Sequence, residues 1–134
     1  MNVYLPGEGP GQKKRAGPVQ EGGTLSSYML AQLQLKYGFA NLARYEAAMA
    51  TVRELFESQG ITLVAGTVTQ VGPLYEAFNL WEIEDQGHLE RALRSMTLGD
   101  PRALEAMGEL NATVEHEQTR FLGSLAFAGS PNTA

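Results

Sequence analysis

The chain has 134 residues, of which 43% are apolar and 19% charged, with a formal net charge of -5 and no cysteine. Those figures fit one globular domain with enough chain to bury a core, and the missing cysteines exclude a disulfide scaffold, thiol catalysis and a cysteine-held metal. The acidic balance argues against nucleic acid, whose binding depends on neutralised phosphates, and no apolar run suits a membrane span or signal peptide, so the cytoplasm is the expected compartment.

Residues 1–27 form a compositional zone of their own. Gly7, Gly9, Gly11, Gly17, Gly22 and Gly23 alternate with Pro6, Pro10 and Pro18, too little apolar surface to order a segment alone. This reads as an N-terminal arm, either disordered or docked on a surface made elsewhere. Its glycines do not have phosphate-loop spacing, since Gln12 stands where a dinucleotide fingerprint requires glycine. The cluster Lys13, Lys14 and Arg15 reads as a solvated loop.

The first predicted strand is Tyr28 to Tyr37, with Met29, Ala31, Leu33 and Leu35 on one parity and Gln32 and Gln34 on the other. A helix follows, with Asn41 as its N-cap. Leu42, Tyr45, Met49, Val52 and Phe56 form its apolar stripe, and Gly60 sits where a C-terminal glycine belongs. Thr62–Val71 and Leu74–Glu84 then read as a hairpin turned at Gly72-Pro73. A short helix carries Leu89, Ala92, Leu93 and Met96 and stops at Gly99. Asp100-Pro101 opens another, with Leu104, Met107, Asn111 and Val114 predicted on its inner face. A last strand spans roughly Thr119 to Phe127, and residues 128–134 are a tail.

The order β-α-β-β-α-β, with its second helix broken in two, predicts an α+β, ferredoxin-like fold over residues 28–127. Its four-stranded antiparallel sheet would carry both helices on one face. The later strand of the hairpin is apolar on both sides, with Phe78 and Leu80 on one row and Tyr75, Trp81 and Ile83 on the other. Helices cover one row. The other would be an aggregation hazard if left open, so the expected partner is a second copy, in a homodimer joined through the sheet faces.

Several side chains could carry chemistry. His116 lies between Glu115 and Glu117 and reads as a solvated histidine, a pocket base or a metal ligand. His88 follows Glu84 and Asp85, but no third ligand appears at matching spacing, and an acidic helix start explains the run equally. No metal is therefore expected. Asn79 and Trp81 share one face of the strongest strand, the first an amide that needs partners and the other a flat apolar wall. Gln32 and Gln34 face a pocket, the dimer space or water. Arg120 could bind a carboxylate or ketone, or pair with Glu117. The Tyr45 ring reads as core, with a hydroxyl able to act as acid or donor.

Gly72-Pro73-Leu74 leading into Asn79-Leu80-Trp81-Glu82-Ile83-Glu84-Asp85, followed by Arg91-Ala92-Leu93, Asp100-Pro101 and Glu117-Gln118-Thr119-Arg120-Phe121-Leu122, resembles the NIPSNAP-like branch of the dimeric α/β-barrel superfamily. The resemblance implies a ferredoxin-like dimer with a pocket between helices and sheet in each subunit. Related small barrels include cofactor-free monooxygenases, polyketide cyclases and muconolactone-isomerase-like proteins. The family's first strand often carries Arg and Tyr before a Lys-Pro-Gly turn; here Ala31, Leu33 and Tyr37 take the places of Arg, Tyr and Pro.

Two functional expectations result. One is a cofactor-independent enzyme of the cyclase, isomerase or monooxygenase type, acting on a hydrophobic aromatic or polyketide-like molecule. His116, Tyr45 and Arg120 would be catalytic, and Gln32, Gln34, Asn79 and Trp81 would bind substrate. The other is a non-catalytic dimeric module for ligand binding or interaction.

Overall fold

The computed structural model describes residues 26–128. The expected arm before Ser26 and the tail after Ala128 lie outside these residues. Two compact units divide the chain. The described part of the smaller is Ser26 with residues 123–128, where the Ser26 N–H donates to Ser124 Oγ at 2.8 Å and the Ser124 N–H to the Ser26 carbonyl at 2.9 Å. A short 3-10 turn, Ala126–Ala128, ends it.

The larger unit, Ser27–Leu122, holds the fold. Its elements are β1 (Ser27–Leu35), α1 (Phe39–Ser58), β2 (Thr62–Val68), β3 (Glu76–Ile83), α2 (His88–Gly99), α3 (Pro101–Thr113) and β4, which starts at Val114 and runs to Gly123. The strands form one four-stranded antiparallel sheet in the order β2-β3-β1-β4, the ferredoxin-like arrangement. Among the described residues no helix is long and apolar enough to cross a membrane.

The sheet's alternation decides what the helices cover. Met29, Ala31, Leu33 and Leu35 of β1 and Ala77, Asn79, Trp81 and Ile83 of β3 are all buried. They face α1, α2 and α3 in two apolar clusters, one around Trp81, Phe56, Ile61 and Met96 and the other around Leu33, Leu35 and Tyr45. On the opposite row Tyr28 is buried, while Leu30, Phe78 and Leu80 are half-buried.

Helix α1 ends as the chain pattern suggests. Gly60 has φ 84°, a left-handed conformation that costs glycine least, and its N–H donates to the Glu57 carbonyl at 3.1 Å. The start differs from the expected one. The N-cap is Gly38, with no side-chain cap. Asn41 sits inside the first turn, where its amide donates to the carbonyls of Lys36 (2.7 Å) and Thr113 (3.0 Å). That amide fastens the exit of β1 to the end of α3.

The same junction explains two further corrections. The Thr113 carbonyl also accepts from the Lys36 N–H at 3.0 Å, and the Thr113 hydroxyl bonds back to the Glu109 carbonyl at 2.8 Å. With its last carbonyl occupied by β1, the helix stops, and Val114 turns extended at φ -102°, ψ 131°. So β4 begins five residues before the expected Thr119, and His116 lies on a strand rather than a helix. The inner face of α3 is Ala103, Ala106 and Thr113, while the expected Leu104 is 62% exposed. Helix α3 packs on α1, and small alanines let two helices approach closely where leucine would hold them apart.

Strands β2 and β3 stop short of the turn, so the predicted hairpin ends at Val68 and resumes at Glu76. Gly72 has φ 126° and Tyr75 φ 59°. Tyr75 holds that unfavoured conformation through its carbonyl, which accepts from the Leu35 N–H at 2.8 Å, and through its ring, 4.9 Å from that of Tyr37.

Candidate functional site

Between α1 and the β2–β3 half of the sheet lies a cavity of about 380 Å³, within the usual range for a small-molecule site. Leu42, Met49, Leu63 and Trp81 supply its apolar wall, and Tyr45, Glu46, Arg53, Thr67 and Asn79 its polar groups. Tyr45 and Met49 lie one helical turn apart on α1, so both side chains reach the same face. Asn79 and Trp81 alternate on β3 and enter from the sheet.

A bulge in β2 completes the cavity. Leu63 pairs with Trp81 and Ala65 with Leu80, so Val64 is an extra residue opposite β3. An extra residue reverses the alternation beyond it. Gly66 therefore pairs with Asn79 and shares a face with Leu63. Plain alternation would have turned it to the other side.

At the inner end, the Asn79 amide donates from Nδ2 to the Tyr45 hydroxyl at 2.8 Å, and Asn79 is only 5% exposed. The tyrosine oxygen is thus an acceptor toward Asn79, and its own proton has no acceptor among the described residues. Asn79 Oδ1 likewise takes part in no hydrogen bond within that set. Burial pushes the Tyr45 phenol above its ordinary pKa; the amide hydrogen bond opposes that shift and the charge of Glu117 adds to it. At neutral pH the group is therefore a protonated donor and not a tyrosinate base.

This has a measurable sign. A phenol with a raised folded-state pKa contributes stability that is intact below the unfolded value of about 10 and is lost as pH rises through the folded value. Tyrosinate absorbance should show a Tyr45 component that ionises later than in the unfolded chain. Tyr45→Phe should remove that late component and flatten the fall in stability above pH ~10. A variant that instead removes an early component would contradict the assignment.

Trp81 forms the far wall. It is 2% exposed and meets Phe56 edge-on, with ring centroids 4.9 Å apart. Its indole thus belongs to the core and lines the cavity at once.

The remaining sequence candidates lie elsewhere. Gln32 donates to Glu76 at 2.7 Å and accepts from Arg120 at 3.4 Å, on the sheet face away from the helices. Arg120 therefore meets Gln32, not the expected Glu117, which accepts from the Thr119 hydroxyl. Gln34 donates to the carbonyls of Leu35, Leu74 and Tyr75 at 3.1–3.3 Å, locking the turn. His116 is exposed on β4, separated from the cavity's β2–β3 wall by β1 in the sheet order. His88 is buried: its Nδ1 accepts from the Glu84 N–H at 3.0 Å and its Nε2 meets the Gln59 carbonyl at 2.7 Å. The ring thus ties the loop before β2 to the loop after β3, at one end of the antiparallel ladder, and is structural. Among the described residues no group of three or more His, Asp or Glu could hold a metal. The structure thus brings together Tyr45, Asn79 and Trp81. Gly66 and Glu46 join them without having been singled out. The bulge hides Gly66 from a reading of alternation, and Glu46 resembles any surface glutamate of an amphipathic helix.

The NIPSNAP family profile matches residues 28–129. No curated protein matches the chain by sequence. A NIPSNAP family protein of unknown function from Agrobacterium tumefaciens is 20% identical, with a TM-score of 0.64 over 79% of this chain and 92% of its own. An uncharacterized NIPSNAP domain protein from Burkholderia xenovorans is 18% identical, with a TM-score of 0.60 over 75% and 96%. SnoaB, a cofactor-independent oxygenase from Streptomyces nogalater, is 16% identical, with a TM-score of 0.55 over 76% and 95%. At such identities the neighbours speak to the fold, which they share. With the profile covering all four strands and three helices, the chain belongs to the NIPSNAP family.

Proposed function

We propose that the protein is a cofactor-independent enzyme of the cyclase, isomerase or monooxygenase type, which polarises a carbonyl on a hydrophobic aromatic or polyketide-like molecule. The observation that carries this reading is the buried Tyr45–Asn79 pair facing a cavity with an apolar wall. A hydroxyl held by the amide and left with its proton free is a preorganised donor for a developing enolate oxygen. Glu46, on the same wall, is the carboxylate placed to accept a proton from the carbon beside that carbonyl. The apolar wall selects the rest of the ligand. A neighbour of the same fold that oxygenates without a cofactor supports the class of chemistry. The test is α-proton exchange: the protein should accelerate deuterium incorporation next to the carbonyl of an aryl ketone such as 1-tetralone, and Tyr45→Phe and Asn79→Ala should each cut the exchange rate about 10²-fold or more.

The working unit in this proposal is a homodimer joined through the sheet face that carries Leu30, Phe78 and Leu80. Half-buried apolar side chains in one row, extended on β4 by Leu122, which shares the parity of Arg120 and is 40% exposed, support it. Light scattering of wild type should give about twice the 14.5 kDa chain mass. Leu80→Glu, a charge in the middle of that row, should return the chain mass with near-native circular dichroism. A wild-type monomer would remove the dimer from the account.

A further inference from the structure

The geometry points to Gly66 as a specificity-determining position, where the missing side chain keeps Asn79 Oδ1 open to a hydrogen-bond donor on the ligand. The inference rests on the proposed small-molecule site and narrows the ligand class.

Asn79 has two ends. Nδ2 is committed to the Tyr45 oxygen. Oδ1 is left without a partner among the described residues, on the wall of a cavity that mixes apolar and polar lining. Tyr28 Oη is the one buried side-chain nitrogen or oxygen without a partner among the described residues, so Asn79 Oδ1 is open to the cavity. A ligand that displaces water from it without offering a donor strands the acceptor, which is costly, so the site discriminates by what the ligand brings. The pair then presents one donor, the Tyr45 O–H, beside one acceptor, Asn79 Oδ1. A ligand that satisfies both carries a carbonyl for the first and a hydroxyl for the other. The two must not be hydrogen-bonded to each other, because a chelated pair has already satisfied its proton. A non-chelated hydroxyaryl ketone has that chemistry.

Gly66 lies directly opposite Asn79 on β2. A Cβ there would stand 3.4 Å from Asn79 Oδ1 and 3.6 Å from the nearest Leu63 carbon. Those are ordinary contact distances, so alanine fits without displacing backbone. It would nonetheless take up space a ligand hydroxyl needs to reach Oδ1. The bulge at Val64 is what delivers a residue without a side chain to this spot. Within 4 Å that Cβ would meet neither the Tyr45 donor nor the indole wall, so the replacement should act on selectivity through Asn79.

The experiment compares three probes by titration calorimetry: 3-hydroxy-1-acetonaphthone, its methyl ether and unsubstituted 1-acetonaphthone. Wild type should bind the hydroxyketone about tenfold more tightly than either control, the worth of one hydrogen bond to an acceptor that the ligand closes off from water. In Gly66→Ala the ratio of hydroxyketone to 1-acetonaphthone affinity should fall to within about twofold, because the donor contact is lost. A thermal melt checks that the variant is folded. If wild type binds all three equally, the role of Gly66 is overturned and the cavity reading survives. If Gly66→Ala keeps the full preference, the inference is likewise overturned. If no probe binds wild type, the site reading fails and this inference fails with it.

Discussion

Trp81→Ala should cost about 3–5 kcal/mol of folding stability, the range for deleting a fully buried large aromatic. The side chain is 2% exposed, packs edge-on against Phe56 and lies in the same apolar cluster as Met29, Ile61 and Ile83. The cavity beside it makes collapse around the vacancy harder, because one wall of the new space already faces an opening. Trp81→Phe retains an aromatic ring for Phe56 and should cost clearly less. Denaturant unfolding followed by circular dichroism reads both, since the alanine variant has no tryptophan left to report. A loss below about 1 kcal/mol for the alanine variant would place Trp81 outside the core.

The other large effect concerns the Tyr45–Asn79 pair. Tyr45→Phe leaves the Asn79 Nδ2 group buried without its acceptor, and Asn79→Ala leaves the phenol without its donor. Each should lower α-proton exchange of an aryl ketone by about 10²-fold or more, the scale on which a positioned acid acts. Their effects should not add, because one hydrogen bond is broken by either change. His116→Ala serves as the contrast: from an exposed place on β4 it should leave exchange near the wild-type rate. Equal losses in all three variants would mean that the cavity is not the seat of the chemistry.

Residue patterns alone make most of the architecture readable. Trp81, Asn79, Ala77 and Ile83 share a parity on a strand too apolar to be open on both sides, and that row is the one the helices cover. The three- and four-residue spacing of Tyr45, Val52 and Phe56 marks the inner face of α1 in the same way. Periodicity works there because large apolar residues mark the buried side.

It fails on α3 for the converse reason. Ala103 and Ala106 are buried because α1 comes close, and nothing in an alanine announces that a neighbour needs the space. Leu104, the louder signal, is exposed. The start of β4 is hidden because the stop is tertiary: Lys36 and Asn41, far back in the chain, occupy the Thr113 carbonyl. His88 reads in the sequence as a polar residue at a helix start, since its partners at Glu84 and Gln59 become visible only once the loops are folded together.

The candidate site is legible in half. Asn79, Trp81 and Tyr45 stand out as polar or aromatic groups on inward faces, and they converge. Gln32, Gln34 and Arg120 share the sheet with them but lie on its other face or in the turn. Gly66 escapes a reading by alternation, because the Val64 bulge reverses the alternation just before it.

The central claim is that the space between α1 and β2–β3 receives a small molecule. Trp81 is the chain's one tryptophan, so its indole N–H gives one identifiable nuclear magnetic resonance signal from the cavity wall. Titrating ¹⁵N-labelled protein with 1-acetonaphthone should move that signal saturably, together with the Asn79 side-chain amide. An indole signal that stays fixed up to the solubility limit of the ligand, while surface amides shift, would contradict the claim.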